Sequence, residues 1–393
     1  TEQLRKKPED YRAAMLEAHS IFDQLVANNP NDVAALYGLA TTASDLGLGG
    51  SAMALLTRAI ELKPEDALLW MQLGTVTKRE QKYPVARHCY SKAAELRPED
   101  AMILAHLAGC YVNQGEPAPG VEIAERAIRG TAEPENLERA KSLARSHQAL
   151  CLLEMERWAE GWDAYEARAE LQEYHKRDYG DVPRWNGEKV GTLMIHAEQG
   201  LGDEILFASI LPDAIKRADR VIFECAPRLQ KLFERTFPGV TCYPSADAVE
   251  ASGERFDAWD RLSSLGRLFR RKESDFPRAP FLKPDPERVA YYKHRLSLLG
   301  PYPHVGIAWK GGTKHTQECY RRTPRAQWER LVSGPATFIS LQYGDDASEE
   351  AAEMRLPHWP EVIKDLDEFA ALVAACDHVV TVCQTAVHFA GAL

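Results

Sequence analysis

The strongest constraint on the fold is an internal period of 34 residues in the first third of the chain. Pro30, Pro64 and Pro98 recur at this spacing. An aspartate stands two positions after each proline, at Asp32, Asp66 and Asp100. A proline ends one helix, the acidic residue starts the next, and a period of this length is typical of stacked helical hairpins. The period therefore predicts an α superhelix.

Residues of matching size recur at the same offsets within each period. The second copy has Trp70, Leu73, Gly74, Ala86, Tyr90 and Ala93, the first has Leu36, Leu39, Ala40, Ala52, Leu56 and Ala59, and the third has Leu104, Leu107, Ala108, Gly120, Ala124 and Ala127. Small residues allow paired helices to approach closely, and larger ones fill the space between neighbours. This pattern resembles the tetratricopeptide repeat, over roughly residues 8–171.

The two ends of the array are less regular. A partial copy is expected at residues 11–29, and a fourth copy is expected after an insertion at residues 132–138. Trp158, Gly161, Trp162 and Tyr165 would lie on the last helix of that copy. Repeat arrays form concave surfaces, so we expect this one to bind a protein or peptide. The alternative is that the repeats only support the rest of the chain.

Charge and cysteine usage exclude several other classes of protein. The chain has 48 basic and 58 acidic residues and a net charge of −10, which argues against a general nucleic-acid binder. The longest apolar runs fall far short of the ~20 residues that a membrane-spanning helix needs. The eight cysteines form no C-x-x-C pair, so neither a disulfide framework nor a zinc site is expected. These features predict a cytoplasmic protein without a signal peptide.

The second half of the chain changes period. After about Arg184, short apolar runs alternate with amphipathic helices, as in parallel sheets covered on both faces. The predicted strands lie at 192–196, 220–225, 256–259, 305–309, 337–342 and 378–382. The predicted helices lie at 203–217, 227–237, 325–332 and 367–376, with another starting near Thr385. A proline-rich linker at 277–286 separates two series.

We therefore predict three domains. Residues 1–175 would form the repeat domain, residues 186–285 a first Rossmann-like domain, and residues 300–393 a second. A cleft would separate the two Rossmann-like domains, and ligands of open α/β sheets bind beyond the carboxyl ends of the strands. Three loops follow such ends.

The first loop contains Gln199, Gly200 and Gly202 and leads into a helix. Its glycines permit a tight turn, but Ile205 replaces the third glycine of a dinucleotide fingerprint. Asp203 has two interpretations: it caps the helix, or it is a general base that faces the cleft. Glu204 is the second candidate for that base.

The second loop carries three cations, Lys310, Arg321 and Arg322, with two glycines after Lys310. Arginine offers forked donors and lysine a point charge, which suits a diphosphate. The alternative is a solvated basic loop.

The third loop leads into the last helix. Thr385 would cap that helix and offer its hydroxyl and backbone N–H groups to a phosphate. His388, one turn further on, could donate to the same anion or could be structural. Cys383 lacks the partners that a nucleophilic cysteine requires.

Several runs in this half resemble a known family. They are Trp158–Tyr165, Pro183-Arg184-Trp185-Asn186-Gly187, residues 198–205, residues 306–310, Ser340-Leu341-Gln342, and residues 381–393. They resemble bacterial tetratricopeptide-repeat glycosyltransferase-like proteins, which are related to the heptosyltransferases and more distantly to the protein O-GlcNAc transferases. The resemblance implies a GT-B-like pair of Rossmann-like domains and an inverting transfer without a metal or cofactor.

The resemblance also assigns roles to residues. Asp203 matches the proposed base of the family, and donor binding falls to Lys310, Arg321, Arg322, Gln342, Thr385 and His388. Many relatives have Asp-Thr where this chain has Cys383-Gln384, which puts a carboxylate contact to the donor sugar in doubt. The chain also stops at Leu393, inside a helix after which the family adds further strands, so the second Rossmann-like domain is expected to be truncated.

The function predicted on these grounds is a glycosyltransferase. It would move a sugar from a nucleoside-diphosphate donor to a protein or glycan acceptor chosen by the repeats. The alternative is a repeat scaffold whose transferase-like domain is degenerate and non-catalytic and binds only protein partners. The donor, the acceptor and the oligomeric state are not predicted.

Overall fold

The computed structural model describes residues 8–171, 177, 179–312 and 318–393. The chain divides into two compact units, Thr1–Lys176 and Arg177–Leu393. The charged start of the chain, residues 1–7, and residues 313–317 of the predicted diphosphate loop lie outside the described residues. The division of the second half into two separate domains stays a prediction.

The first unit consists of helices that pack against their neighbours in the chain. They are α1 (Pro8–Asn28), α2 (Val33–Asp45), α3 (Gly49–Leu62), α4 (Ala67–Arg79), α5 (Tyr83–Leu96), α6 (Ala101–Gln114), α7 (Pro117–Arg129), α8 (Pro134–Glu154), α9 (Trp158–Tyr165) and α10 (Arg168–Leu171). The prediction of a helical array that begins with a partial copy is confirmed.

The three periodic aspartates start the first helix of each hairpin. Asp32, Asp66 and Asp100 are the N-caps of α2, α4 and α6, and each side chain accepts a hydrogen bond from a first-turn amide at 3.0 Å. Such caps satisfy donors that the helix itself leaves unpaired. The small residues act as expected too, since a Cβ at Gly74 would lie 2.9 Å from the Tyr90 ring.

The fourth copy differs in one respect from its prediction. Most of the predicted insertion at 132–138 is helical, because α8 begins at Pro134 and runs for 21 residues. Proline fits the first turn of a helix, where its missing N–H has no partner to lose. The insertion therefore lengthens the helix. The aromatic residues assigned to the last helix of this copy do lie on α9.

The second unit contains two parallel sheets. Their strands are β1 (Val190–His196), β2 (Ala218–Glu224), β3 (Val240–Tyr243), β4 (Ala258–Arg261), β5 (His304–Ala308), β6 (Thr337–Ser340) and β7 (His378–Thr381). The first sheet has the order β3-β2-β1-β4 and the second has the order β6-β5-β7, with parallel pairing throughout. The prediction of parallel α/β structure is confirmed at this level.

Helices connect these strands. They are α11 (Leu201–Ala208), α12 (Leu211–Ile215), α13 (Gln230–Thr236), α14 (Ala246–Ser252), α15 (Gly266–Phe269), α16 (Pro286–Ser297), α17 (Arg325–Val332), α18 (Ala347–Glu353), α19 (Pro360–Lys364), α20 (Leu366–Ala375) and α21 (Thr385–Ala392).

Three local predictions for this unit differ from the structure. The single helix predicted at 203–217 is two helices, with Pro212 in the first turn of α12. The strand β3 was missed because its four residues alternate between buried and half-buried and form no apolar run. The proline-rich segment is a linker only up to Asp285, which caps α16 through the amides of Glu287 and Arg288.

Every helix within the described ranges is too short or too polar to span a lipid bilayer. The cytoplasmic location stays a prediction. All eight cysteines are free thiols, and five of them are buried.

Candidate functional site

The two parallel sheets bring the first and third predicted loops together. Helix α11 follows β1, helix α21 follows β7, and the two helices pack against each other. A Cβ at Gly202 would lie 2.7 Å from His388 Cδ2 and 3.6 Å from Thr385 Cα. Only glycine permits this approach without displacing the histidine ring. The predicted acid-bearing loop and the predicted phosphate-binding loop therefore meet at one place.

Asp203 lies at this meeting point. It is the third residue of α11, and its carboxylate forms no hydrogen bond or ion pair within the parts of the chain that the structure describes. Gly200 is the N-cap of the helix, so the interpretation of Asp203 as a cap is wrong. Asp203 is half-buried and free to interact with a ligand.

The pKa of His388 is influenced by charged groups at the same site. Burial lowers its pKa, the Asp203 carboxylate opposes that shift, and the Arg321 guanidinium adds to it. Two charged groups from other segments thus act on the His388 imidazole. An acid, an imidazole and a guanidinium lie within electrostatic range at the carboxyl ends of two sheets.

The Glu204 side chain points away from Asp203 and His388. Its carboxylate is 3% exposed and accepts a hydrogen bond from the Ala226 amide at 2.9 Å. Burial raises its pKa to about 7, and the charges of Glu224 and Glu198 add to that rise. The prediction of Glu204 as a second base that faces the cleft is wrong, because the side chain is enclosed beside the first sheet.

Gln199 and Gly200 occupy the turn before α11. The Gln199 amide Nε2 donates to Ser263 Oγ at 3.3 Å, and Gly200 is exposed at the N-cap. Both residues shape the loop that presents Asp203.

The second predicted loop follows β5 and folds back on itself. Lys310 and Arg322 form an antiparallel bridge, and the Gly311 amide donates to the Arg321 carbonyl at 2.9 Å. The charge of Arg321 contributes to the lowered pKa of His388, whereas Arg322 forms an ion pair with Glu350.

Two of the three predicted cations are already paired with acids. Lys310 Nζ lies 2.7 Å from a Glu350 carboxylate oxygen and also forms an ion pair with Asp346. Glu350 in addition accepts from Arg322 at 3.0 Å and from Trp309 Nε1 at 2.7 Å. The hydrogen bond from Lys310 lowers the pKa of Asp346. Sequence reasoning missed both acids, although they follow a strand end as the predicted site residues do.

Gln342 does not fit its predicted role as a donor contact. The side chain is fully buried, and its Oε1 accepts from the amides of Trp309 at 2.9 Å and Lys310 at 3.0 Å. Its Nε2 donates to the carbonyls of Lys310 and Tyr343. Both polar atoms of the Gln342 amide thus form hydrogen bonds with the backbone. Gln342 positions the Lys310 loop.

A cavity of about 380 Å³ opens beside this loop. Lys310, Gly312, Arg322, Tyr343 and Asp346 line it. The ring of Tyr343 is 40% exposed, and its hydroxyl accepts from the Gly312 amide at 3.2 Å. The volume falls within the range of small-molecule sites.

Gln384 is a candidate site residue to which the sequence analysis assigned no role. Its side chain is 5% exposed, and both polar atoms lack a hydrogen-bond partner among the described residues. It is the N-cap of α21, so Thr385 begins that helix and does not cap it. A Cβ at Gly311 would lie 2.6 Å from Gln384 Cβ, which places the amide beside the loop after β5. A buried polar group without a partner is expected to bind a ligand or water.

Metal-ligating side chains do not gather at this site. No group of three or more His, Cys, Asp or Glu that could hold a metal ion occurs in the portion of the chain with described placement.

Comparisons with known proteins show what parts of the chain are similar to. Residues 15–67 and 71–134 match the tetratricopeptide repeat family. The chain thus contains segments that match the tetratricopeptide repeat in its first unit, and an α/β unit after them. It is homologous to Protein FlbA of Caulobacter vibrioides, with 33% identity over 392 residues. The alignment covers 93% of this chain and 65% of the relative, so the chain spans about two thirds of the length of FlbA.

Two solved structures are similar to part of the chain. MamA from Desulfovibrio magneticus RS-1 is 17% identical, covers 42% of this chain and 90% of its own, and has a TM-score of 0.36. YrrB, described as a tetratricopeptide-repeat protein with an unusual peptide-binding site, is 21% identical, covers 39% and 76%, and has a TM-score of 0.33. No glycosyltransferase family matches the chain.

Proposed function

We propose that this protein is a nucleotide-sugar-dependent glycosyltransferase whose repeats select a protein or glycan-bearing acceptor. One observation carries the proposal. Asp203, His388 and Arg321 come from three separate segments and converge where two parallel sheets end. Ligands of open α/β sheets bind at such ends, and a histidine with a perturbed pKa beside an acid and a cation there favours catalysis.

The reaction assigns a role to each of these groups. Asp203 accepts the proton of the acceptor hydroxyl while that oxygen forms a bond to the anomeric carbon of the sugar. The bond from the same carbon to the diphosphate breaks, and its electron pair leaves with the phosphate oxygen. Arg321, His388 and the first amides of α21 stabilise the negative charge that develops on that oxygen. Attack opposite to the leaving group inverts the anomeric centre.

The donor would extend from this point into the neighbouring cavity. The backbone at Gly311 and Gly312 permits close approach of a ligand, and the ring of Tyr343 offers a face for a nucleobase. Gln384 would supply hydrogen bonds to a hydroxyl or phosphate oxygen of the donor. The GT-B arrangement of the two sheets belongs to this proposal.

Turnover of a nucleotide sugar tests the role of Asp203. Hydrolysis of UDP-, GDP-, ADP- and CMP-linked sugars is measured with the full chain and then with Asp203→Asn. We expect at least a 100-fold loss, because general base catalysis commonly contributes a factor of about 100 or more. Asp219→Asn is the matched control, since Asp219 lies at the opposite, amino end of β2 and is largely exposed. Equal turnover by the Asp203 variant and the wild type removes Asp203 from the base role.

A second function is favoured by a different observation. Lys310 and Arg322 are neutralised by Asp346 and Glu350, which leaves less positive charge for a diphosphate. This arrangement suits a repeat scaffold whose transferase-like unit is non-catalytic and contacts protein partners. Calorimetry with UDP, GDP, ADP and CMP separates the two functions. Saturable heat from one nucleotide supports the transferase, and its absence for all four supports the scaffold.

A further inference from the structure

A small cavity lies at the edge of the hydrophobic core that covers one face of the second sheet. Its volume is about 110 Å³, and the side chains of Trp309, Trp328 and Met354 supply its apolar walls. All three side chains are buried and pack into the core together with residues of β5 and β6. We call this space the Trp328 cavity. Because its walls belong to a close-packed core, the cavity is a fixed feature of the fold.

Hydrogen bonds hold the Trp309 wall in place. The Trp309 amide donates to Gln342 Oε1 at 2.9 Å, and its indole Nε1 donates to a Glu350 carboxylate oxygen at 2.7 Å. The amide of Thr323, which also lines the cavity, donates to the Trp309 carbonyl at 3.1 Å. The cavity is therefore preorganised, and a ligand that enters it has little ordering of the protein to offset.

The opposite wall contains a polar group without a partner. Trp328 is buried, whereas its neighbours on α17, Gln327 and Glu329, are exposed. The Trp328 Nε1 atom is shielded from solvent and forms no hydrogen bond within the described ranges. A buried N–H group without an acceptor costs free energy and is expected to bind a ligand or water. The Trp328 cavity is the space beside this ring in which such an acceptor can lie.

Water is a poor occupant of this space. A buried water molecule usually makes about three hydrogen bonds. The charged groups and the Trp309 N–H are already engaged with one another, so a water in the cavity would depend on the Trp328 N–H and the Thr323 hydroxyl. Displacement of a poorly held water by an apolar group is favourable.

The charges around the cavity balance. Arg322 pairs with Glu350 at 3.0 Å, and Arg325 pairs with Glu353 at 2.5 Å. All four residues line the cavity, and at least half of each arginine side chain is exposed, so the cavity opens to solvent between them. Two cations and two anions leave no excess of either sign. A neutral ligand is therefore favoured over an ion, which would have to break one of these pairs.

The size and the walls of the cavity favour an aromatic ring. Its volume is close to the ~150 Å³ of an engineered apolar cavity that binds benzene. The indole rings of Trp309 and Trp328 offer aromatic contacts to such a ring. The thioether of Met354 adds a favourable contact between sulfur and an aromatic ring.

We propose that the Trp328 cavity binds a small, neutral, single-ring aromatic molecule that bears a hydroxyl or carbonyl oxygen. The ring packs against Trp309, Trp328 and Met354, and the oxygen accepts a hydrogen bond from Trp328 Nε1. This site is distinct from the cavity beside Lys310, although Arg322 borders both. The inference goes beyond the proposed function and holds whether or not the protein transfers a sugar.

Calorimetry with phenol and toluene tests the hydrogen bond. The two molecules are similar in size and shape, but only phenol carries an oxygen. Both are titrated into the full chain and into Trp328→Phe, which keeps an aromatic ring and removes the N–H. We expect the ratio of phenol affinity to toluene affinity to fall about 5- to 10-fold in the variant, because one hydrogen bond is lost. The extra space beside the smaller ring is available to both ligands, so the ratio isolates the N–H.

Trp185→Phe is the matched control for this experiment. Trp185 is also buried, but it lies outside the cavity and its Nε1 already donates to the Glu188 carbonyl at 2.8 Å. The control should leave the affinity ratio unchanged, and thermal melting of both variants separates a loss of binding from a loss of fold. An unchanged ratio in Trp328→Phe, an equal fall in Trp185→Phe, or no binding of either ligand to the wild type overturns the proposal.

A second pair of variants locates the ligand without removing the N–H. Met354→Phe fills part of the cavity and should weaken both phenol and toluene by about 10-fold or more. Leu331→Phe, which adds a ring at an exposed position of α17 outside the cavity, should bind both ligands as the wild type does. Unchanged affinities in Met354→Phe contradict the proposal.

A final titration distinguishes a free molecule from a side chain of a protein partner. N-acetyltyrosinamide carries the phenol ring on a peptide backbone, and it should bind no more tightly than phenol, because the ring and its oxygen make the contacts. Tighter binding of N-acetyltyrosinamide overturns the assignment to a small molecule. No nucleotide sugar is present in these assays, so their failure is distinguishable from a failure of the transferase proposal.

Discussion

The two parallel sheets end on loops of similar composition that satisfy their charges in opposite ways. The loop after β1 contains Gly200 and Gly202 and presents Asp203 without a hydrogen bond among the described residues. The loop after β5 contains Gly311 and Gly312, and its Lys310 is held by two carboxylates. The difference teaches that a charged residue beside a glycine pair is accessible to a ligand only where no other segment supplies a counter-ion.

The same contrast appears in the acids. Glu204, behind the first loop, is buried without a cation, and its pKa is raised to about 7. Asp346, beside the second loop, pairs with Lys310, and its pKa is lowered. Burial alone disfavours the ionised form of a carboxyl group, whereas a nearby cation favours that form.

The largest effect in this comparison, a change in how the free energy of unfolding depends on pH, is expected for a substitution of Glu204. A carboxyl group with a raised pKa binds its proton more tightly in the folded state, so its stabilising contribution is complete below about pH 4.5 and declines as the pH rises through 7. The rise from 4.5 to about 7 corresponds to about 3 kcal/mol. Glu204→Gln should therefore be more stable than the wild type at pH 8 and show a flatter stability profile between pH 5 and 8.

Urea unfolding at a series of pH values measures this effect. Glu349→Gln serves as the control, because it removes a carboxylate from the exposed part of α18. A pH profile of Glu204→Gln that parallels the wild type would show that Glu204 is ionised in the folded protein at neutral pH.

The second effect concerns the backbone contact between the loops after β5 and β7. A Cβ at Gly311 would lie 2.6 Å from Gln384 Cβ and 2.9 Å from the Cys383 carbonyl oxygen, and backbone atoms cannot yield as a side chain can. Gly311→Ala should reduce the free energy of unfolding by about 2 kcal/mol. Gly391→Ala, in α21 with no atom within 4 Å, should be neutral or slightly stabilising. Chemical denaturation of both variants checks the pair, and equal stabilities contradict the close contact.

The third effect concerns the affinity for pyrophosphate. It shows whether the acids beside Lys310 compete with this ligand for the cation. Glu350→Gln keeps an acceptor for Trp309, removes the ion pair of Arg322 with Glu350 and leaves Lys310 with its ion pair to Asp346, so pyrophosphate should bind several-fold more tightly. Lys310→Met should weaken pyrophosphate by about 10-fold, because one charged contact is lost. Calorimetry measures both affinities.

A matched control for this test is Glu353→Gln, on the same helix as Glu350 but paired with Arg325. It should leave the pyrophosphate affinity unchanged. If Glu350→Gln weakens binding, the acid organises the cations for the ligand and does not compete with it.

The smallest effect is expected at Gly202. Gly202→Ala would place Cβ 2.7 Å from His388 Cδ2, and the ring can rotate away at a cost of about 1 kcal/mol. The double variant Gly202→Ala/His388→Ala should recover most of that loss relative to His388→Ala alone. Thermal unfolding of the four forms provides the double-mutant cycle. Additive losses would mean that the two residues are not in contact.

The repeat unit was largely predictable because its contacts are local. Each aspartate caps the helix that begins at the next residue, and small residues meet helices that are near in the chain, as Gly74 meets Tyr90 within one hairpin. The error at α8 arose where the period broke. Periodicity cannot show whether extra residues between two copies form a loop or extend a helix.

In the α/β unit, the alternation of strands and helices along the chain was predictable from the sequence. The positions of the site residues relative to one another were less predictable. Asp203 and His388 were proposed as site residues, and the structure brings them into electrostatic range. Glu204, a neighbour of Asp203 in sequence, faces the Ala226 amide and lies outside that group. One helical step of about 100° separates the two side chains, and only the packing of α11 decides which of them is buried.

The amino-acid sequence by itself determined the repeating hairpins, the alternation of strands and helices, and the loops in which charged residues follow strand ends. These features depend on spacing and on backbone preferences that act over a few residues. The tertiary structure alone decided which charges are free. Lys78 lacks a counter-ion among the described residues and Lys310 has two, because ion pairs form between segments that are far apart in the chain and close in space.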